Sequence, residues 1–458
     1  MLVKQAFDAA PIAEIATDDA ASVAGKLDVA TRAFKNRKAW LQPHRRIEIL
    51  RKLARLMERD YDQLALMIAR EGGKPLTDAR IETTRAINGV ESAAGEIEHH
   101  AGREIPMGLT KASEGRWAFT TKEPIGVVAA ISAFNHPLNL VVHQVVPAIA
   151  TGCPVIIKPA ATTPLSCQHF VRLVHEAGLP PELCQLAVIE DNAIAEKLVT
   201  DPRVAFFSFI GSAKVGWYLR SKLAPGARYA LEHGGAAPVI VDQSADLDGL
   251  VESLVKGGYY HAGQVCVSVQ RIYVHEAIKE DFVARFTARV GALRVGDPTK
   301  AETEVGPLIL PREVDRVESW VKEAVDGGAK LTIGGKRISD HVYAPTVLVE
   351  PAATARVSTL EVFGPVTCIY GYHDLDEAIA RANSLSVAFQ SSVFTRDIGV
   401  ALQAARQFDA SAVLVNDHTA FRTDWMPFAG RHESGYGIGG IPYTMHDMSQ
   451  DKMVVLKF

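Results

Sequence analysis

Cysteine is scarce in this 458-residue chain: Cys153, Cys167, Cys184, Cys266 and Cys368 are an odd number, widely scattered, with no C-x-x-C pair. That spacing argues against a disulfide framework and a cysteine-built zinc site, and no metal is expected. Long apolar runs are absent too. Nothing approaches the roughly 18 consecutive apolar residues of a spanning helix, and the opening MLVKQAFDAAPIAEIATDDAAS carries acids where a signal peptide needs an unbroken apolar core. A cytoplasmic location is expected, with no membrane partner. Basic charge is not in excess, with 49 Lys and Arg against 53 Asp and Glu. Without a basic field, nucleic acid is not an expected partner.

The length exceeds what one hydrophobic core usually supports, so at least two domains are expected. Residues 44–71 place Ile47, Leu50, Leu53, Met57, Tyr61, Leu64 and Met67 at helical spacing before Gly72, Gly73 and Pro75. The pattern predicts one surface helix. From residue 124, unalternating runs such as IGVVAAISAF, PVIIKPA and VAFFSFIG exchange with helix-like stretches. Such runs suit strands buried on both faces, hence an α/β unit with a parallel sheet. The pattern repeats after residue 238 with PVIVD, RIYVH, VTCIYGY and SAVLVND, predicting a second α/β domain. Residues 102–122 and the tail from about 441 fit neither and read as extended β arms.

The G-x-G-x-x-G spacing of Gly435, Gly437 and Gly440 lacks the context of a dinucleotide fingerprint, because it lies near the chain end and opens no βαβ unit. It reads as a glycine-rich loop. Other residues carry more. Glu232 leaves an apolar strand directly before Gly234 and Gly235, and Asn135 ends the predicted strand 124–134 ahead of a helix. Alone, each suits a cap or a salt bridge. Cys266, in YYHAGQVCVSVQR, would alone suit a core position.

In order, Asn135, Lys158 in VIIKPAATTPLS, Gly211 and Ser212 in FSFIGSAKVG, Glu232 in LEHGG, Cys266 in GQVC, Glu361 and Phe363 in EVFGP, and Phe428 in PFAG form a set. Together they resemble the NAD(P)-dependent aldehyde dehydrogenase superfamily from about residue 30 to the end. The resemblance implies an α/β fold: a Rossmann-type cofactor domain over 1–101 and 123–233, an α/β catalytic domain over 234–440, and a β oligomerisation arm over 102–122 and 441–458. It also implies a homodimer or homotetramer. Cys266 is then the nucleophile, Asn135 an oxyanion donor, and Glu232 the base that hydrolyses the thioester. Because CoA-acylating members generally lack that glutamate, release of a free carboxylate is implied. Lys158, Gly211, Ser212, Glu361 and Phe363 would hold the cofactor. NAD is the expected cofactor, but NADP stays open because Ala161 stands where many NAD-preferring members carry glutamate.

The resemblance also places His136, directly after Asn135, with Arg85, His418, Arg422 and Phe428 along the substrate funnel, and arginines and histidines there imply an anionic or strongly polar substrate tail. The motifs look most like the branch of phosphonoacetaldehyde, lactaldehyde and non-phosphorylating glyceraldehyde-3-phosphate dehydrogenases. Phosphonoacetaldehyde is the first expectation. Lactaldehyde, glyceraldehyde-3-phosphate, sulfoacetaldehyde and succinic semialdehyde are the alternatives. A non-catalytic scaffold would have no use for the complete Cys266, Glu232 and Asn135 set.

Overall fold

The computed structural model describes residues 1–458. The apolar runs become strands. Val127–Ile131, Val155–Lys158, Cys184–Leu186, Val204–Ile210 and Arg228–Glu232 form the parallel part of a six-stranded sheet. Val127–Ile131 lies centrally, with the next two strands on one side and the last two on the other. Strand order therefore reverses beside it, and in open α/β sheets a crevice forms outside the carboxyl ends at such a point. Both faces are buried: Val128 and Ala130 join one core, while Val127, Ala129 and Ile131 join the opposite one.

A second, seven-stranded sheet takes Pro238–Val241, Arg271–His275, Thr346–Val349, Val366–Tyr372, Gln390–Phe394 and Ala412–Val415 in parallel, with Lys330–Ile333 antiparallel at one edge. Its residues share one large core. A small antiparallel sheet stands apart. Ser449–Lys457 pairs along its whole length with Arg116–Pro124, which also pairs with Glu104–Ile105. Trp117, Met453 and Val455 of this sheet, and Phe458 just after it, are exposed. No helix is long and apolar enough to cross a membrane.

Two local expectations are corrected. The single helix over 44–71 is two, Pro43–Arg59 and Tyr61–Gly72, broken where Asp60 leaves helical geometry and binds Arg59 and His169. The second buries Leu64, Ala65, Ile68 and Ala69 and is not a surface helix. The tail is extended only over Ser449–Lys457, because Ile441–Asp447 is helical. Ile441, Met445 and Met448 are fully buried at i, i+4 and i+7, a helical stripe masked in sequence by the neighbouring glycines and Pro442.

Candidate active site

The strand ends converge on one cavity of about 550 Å³. Asn135 follows Val127–Ile131, Gly211 and Ser212 follow Val204–Ile210, and Glu232 closes Arg228–Glu232. The second domain supplies Cys266, Glu361, Phe363, Arg422 and Phe428 to the same walls, and Arg85 and His136 also line them.

Cys266 sits on a loop whose backbone is tightly prescribed. His261, Ala262 and Gly263 are all left-handed, at φ of 49°, 54° and 71°. A Cβ at Gly263 would strike the Gly364 carbonyl, so the third position requires glycine. Gln264 pins the next turn: its amide donates to the His261 and Pro307 carbonyls at 3.2 and 3.1 Å and accepts from Ile309 N–H at 2.9 Å. Its own carbonyl accepts from Asn135 Nδ2 at 3.0 Å. That bond uses one of the two amide hydrogens of Asn135 and aims the other. Thr419 Oγ1 donates to the Val267 carbonyl at 2.7 Å, fixing the far side of the cysteine.

The electrostatics follow from burial. The Cys266 thiol is pushed up to about 12, first by desolvation and then by the Glu232 and Glu361 carboxylates, with Arg422 opposing. Burial also raises Glu232, again against Arg422. Glu361 is raised to about 8 by burial, and its Oε1 is buried without a partner. His233, beside Glu232, is kept neutral by burial, and its ring Nδ1 donates to the Gly211 carbonyl at 2.9 Å. The loop read as unrelated to a dinucleotide also takes part here. Gly435 pairs with Glu232, and a Cβ at Gly439 would collide with the Glu232 carboxylate.

The mouth is ionic. Arg85 donates to Asp424 at 2.8 and 3.3 Å, and Asp424 also accepts from Asn139 Nδ2 at 3.0 Å and meets His143 Nε2 at 2.7 Å. His143, Arg85 and Arg422 hold the Asp424 carboxyl far below the ordinary range, against its burial. Arg422 lies over the Phe428 ring at 3.6 Å; its Nε is buried without a partner, and its only polar contact is a long 3.4 Å approach to His143 Nδ1. Desolvation keeps His136 neutral, and its Nε2 lies 2.9 Å from the Tyr260 hydroxyl.

The sequence pattern of the aldehyde dehydrogenase family matches residues 1–454. The chain belongs to the aldehyde dehydrogenase family. A 3-sulfolactaldehyde dehydrogenase of Priestia megaterium is 38% identical over 456 residues, covering 100% of this chain and 94% of that one. A lactaldehyde dehydrogenase of Methanocaldococcus jannaschii is 36% identical over 416 residues, covering 90% and 88%. Among solved structures, a glyceraldehyde-3-phosphate dehydrogenase of the same archaeon, complexed with NADP, superposes with a TM-score of 0.95 at 34% identity, covering 100% and 99%. This aldehyde dehydrogenase is thus an NAD(P)-dependent enzyme with a Rossmann-type domain, an α/β catalytic domain and a β arm.

Not every anticipated residue reaches the cavity. His418 does not line it, because its ring accepts from the Ala420 N–H at 3.1 Å and folds onto its own loop. Lys158 ends its strand with the ammonium on the Pro159 carbonyl at 3.3 Å, next to the lining residue Ala160. Asp424, His143, Asn139 and Tyr260 were not anticipated. Asn139 and His143 are four apart in one helix, a spacing that puts them on one face.

Proposed function

We propose that this enzyme oxidises a short 2-hydroxyaldehyde with an anionic tail to its carboxylate. The observation carrying the reading is the single cavity that joins Cys266, Glu232 and Asn135 to the open guanidinium of Arg422. Cys266 attacks the carbonyl carbon, and with its thiol held near 12 the proton must pass to a base; Glu232, whose charge it feels, is suited to take it. The oxyanion receives the free amide hydrogen of Asn135 and the Cys266 backbone N–H. Glu232 passes the thiol proton on to solvent and, as the carboxylate again, takes the proton of the water that cleaves the thioester left on Cys266.

The residues fit a dinucleotide. Ser212 caps the helix Ala213–Arg220 with no side-chain bond of its own, which suits a phosphate at that N-terminus, and the unpartnered Glu361 Oε1 suits ribose hydroxyls. Gly211, Lys158 and Phe363 would complete the hold. When bound, NAD(P) accepts the aldehyde hydrogen as hydride. Ala161 is exposed and brings no carboxylate against a 2′-phosphate, so NADP is a usable partner alongside NAD.

The relatives move the choice of substrate away from phosphonoacetaldehyde. Sulfolactaldehyde, lactaldehyde and glyceraldehyde-3-phosphate, named for those relatives, are all 2-hydroxypropanals that differ at the third carbon. The Tyr260 and His136 pair offers a donor and an acceptor for that hydroxyl. The exposed apolar residues of the three-stranded arm sheet, Trp117, Met453 and Val455, are read as a subunit contact that makes a homo-oligomer.

The test is a panel of 3-sulfolactaldehyde, glyceraldehyde-3-phosphate, lactaldehyde and propanal with NAD and with NADP, following reduced nicotinamide. The anionic hydroxyaldehydes are expected to give the highest kcat/KM. Propanal as the best substrate would refute the reading.

A further inference from the structure

The two arginines of the mouth are not equivalent. Arg85 is closed onto Asp424, which is only 2% exposed and held ionised, so this pair contributes hydrogen-bond donors but no net charge. Deeper pairs cancel as well: Lys74 binds Glu82 and Lys256 binds Asp78. The two histidines add nothing at neutral pH, since His136 is far below its ordinary value and His143 is lowered to about 4. The other groups acting on Arg422 are Cys266, a neutral thiol, and Glu232, whose ionisation could only subtract positive charge; Glu361 and the bonded Arg316 and Glu313 also line the cavity and add no free cation. Among the arginines that line the cavity, Arg422 alone has no carboxylate bonded to it.

We infer that the tail pocket is matched to one negative charge and selects aldehydes ending in a singly charged oxyanion, such as a sulfonate, over those ending in a phosphate dianion. This rests on the proposed oxidation of anion-tailed aldehydes at Cys266. One guanidinium can face one oxyanion in a bidentate pair. The second charge of a phosphate would stand partly desolvated near the Asp424 carboxylate with no counterion, which is unfavourable. A sulfonate keeps one charge at every working pH, whereas a phosphate monoester loses its second proton near a pKa of about 6.

The decisive measurement uses the wild-type enzyme. The ratio of kcat/KM for glyceraldehyde-3-phosphate to that for 3-sulfolactaldehyde is followed from about pH 5.5 to 7.5 with one cofactor, so that ionisations of the free enzyme cancel. The ratio should fall about tenfold as the dianion replaces the monoanion. A flat or rising ratio overturns the inference. In Asp424→Asn, which frees Arg85, the ratio at pH 7.5 should rise about tenfold over wild type, close to 1.4 kcal/mol, and an unchanged ratio in an active variant also overturns it. If lactaldehyde is oxidised and neither anionic aldehyde is preferred to it, the anion-tail reading itself has failed, an outcome distinct from a wrong charge match.

Discussion

The centre and the mouth of one cavity are built by different means. Around Cys266, position is set by backbone and amides: a left-handed run through Gly263, the four hydrogen bonds of Gln264, and the hydroxyl of Thr419. None of these depends on charge. The mouth is an ion network in which Asp424 holds Arg85, Asn139 and His143 while Arg422 stays open. The first kind of construction fixes reacting atoms whatever the pH or salt. The second sets which tail is accepted, and one substitution can reset it.

The largest effect should come from the centre. Cys266→Ala should abolish reduced-nicotinamide formation with every aldehyde while the melting temperature stays near wild type; a residual rate above about one part in a thousand would break the covalent account. Glu232→Gln should slow the first burst of reduced cofactor, because the thiol loses the group that takes its proton, and should then slow steady turnover about 10²–10⁴-fold through the lost hydrolytic base, as stopped-flow absorbance would show. The sign of the pH dependence follows from burial, which raises the Glu232 carboxyl. The base is lost as pH falls through that raised value, so steady turnover of the wild type should drop on the acid side and the glutamine variant should lack that limb.

A subtler change sharpens the comparison. Gln264→Ala would leave buried groups unpaired, at about 1–3 kcal/mol of stability, and should slow all aldehydes alike. Its kcat/KM ratio of sulfolactaldehyde to lactaldehyde should stay at the wild-type value; a changed ratio would show that centre and mouth are not separable. The smallest effect concerns Glu361, whose carboxyl is raised by burial to about 8 from 4.5. A raised value in the folded state gives stability that is present at low pH and lost as pH climbs through about 8. Without cofactor, Glu361→Gln should therefore flatten the decline of melting temperature between about pH 5 and 8, and a decline identical to wild type would contradict the burial argument.

What was legible in the sequence divides along the same line. Cys266, Glu232 and Asn135 stand in short local motifs whose neighbours, such as Gln264 and Gly263, serve the same local geometry. The strands were legible because both faces are buried, which leaves unbroken apolar runs such as Val127–Ile131. The mouth was not. Arg85 and Asp424 are 339 residues apart, and only the folded chain shows that one arginine is neutralised and the other open. His418 was misplaced for a related reason: a histidine two residues before a free N–H can bond its own loop. The helix Ile441–Asp447 was missed because Gly440 and Pro442, which start it, also signal turns.

The separation of centre from mouth is tested most directly by Arg422→Ala, with kcat/KM measured on 3-sulfolactaldehyde and on lactaldehyde, which share a carbon skeleton and differ in the tail. Losing a charge-assisted hydrogen bond to the tail should lower the first by about 1.5–3 kcal/mol, tenfold or more at about 1.36 kcal/mol per decade. Lactaldehyde should lose much less; Arg85→Ala, which leaves the ionised Asp424 unpaired, should also lower 3-sulfolactaldehyde more than lactaldehyde. Equal losses on the two aldehydes in Arg422→Ala would contradict the account.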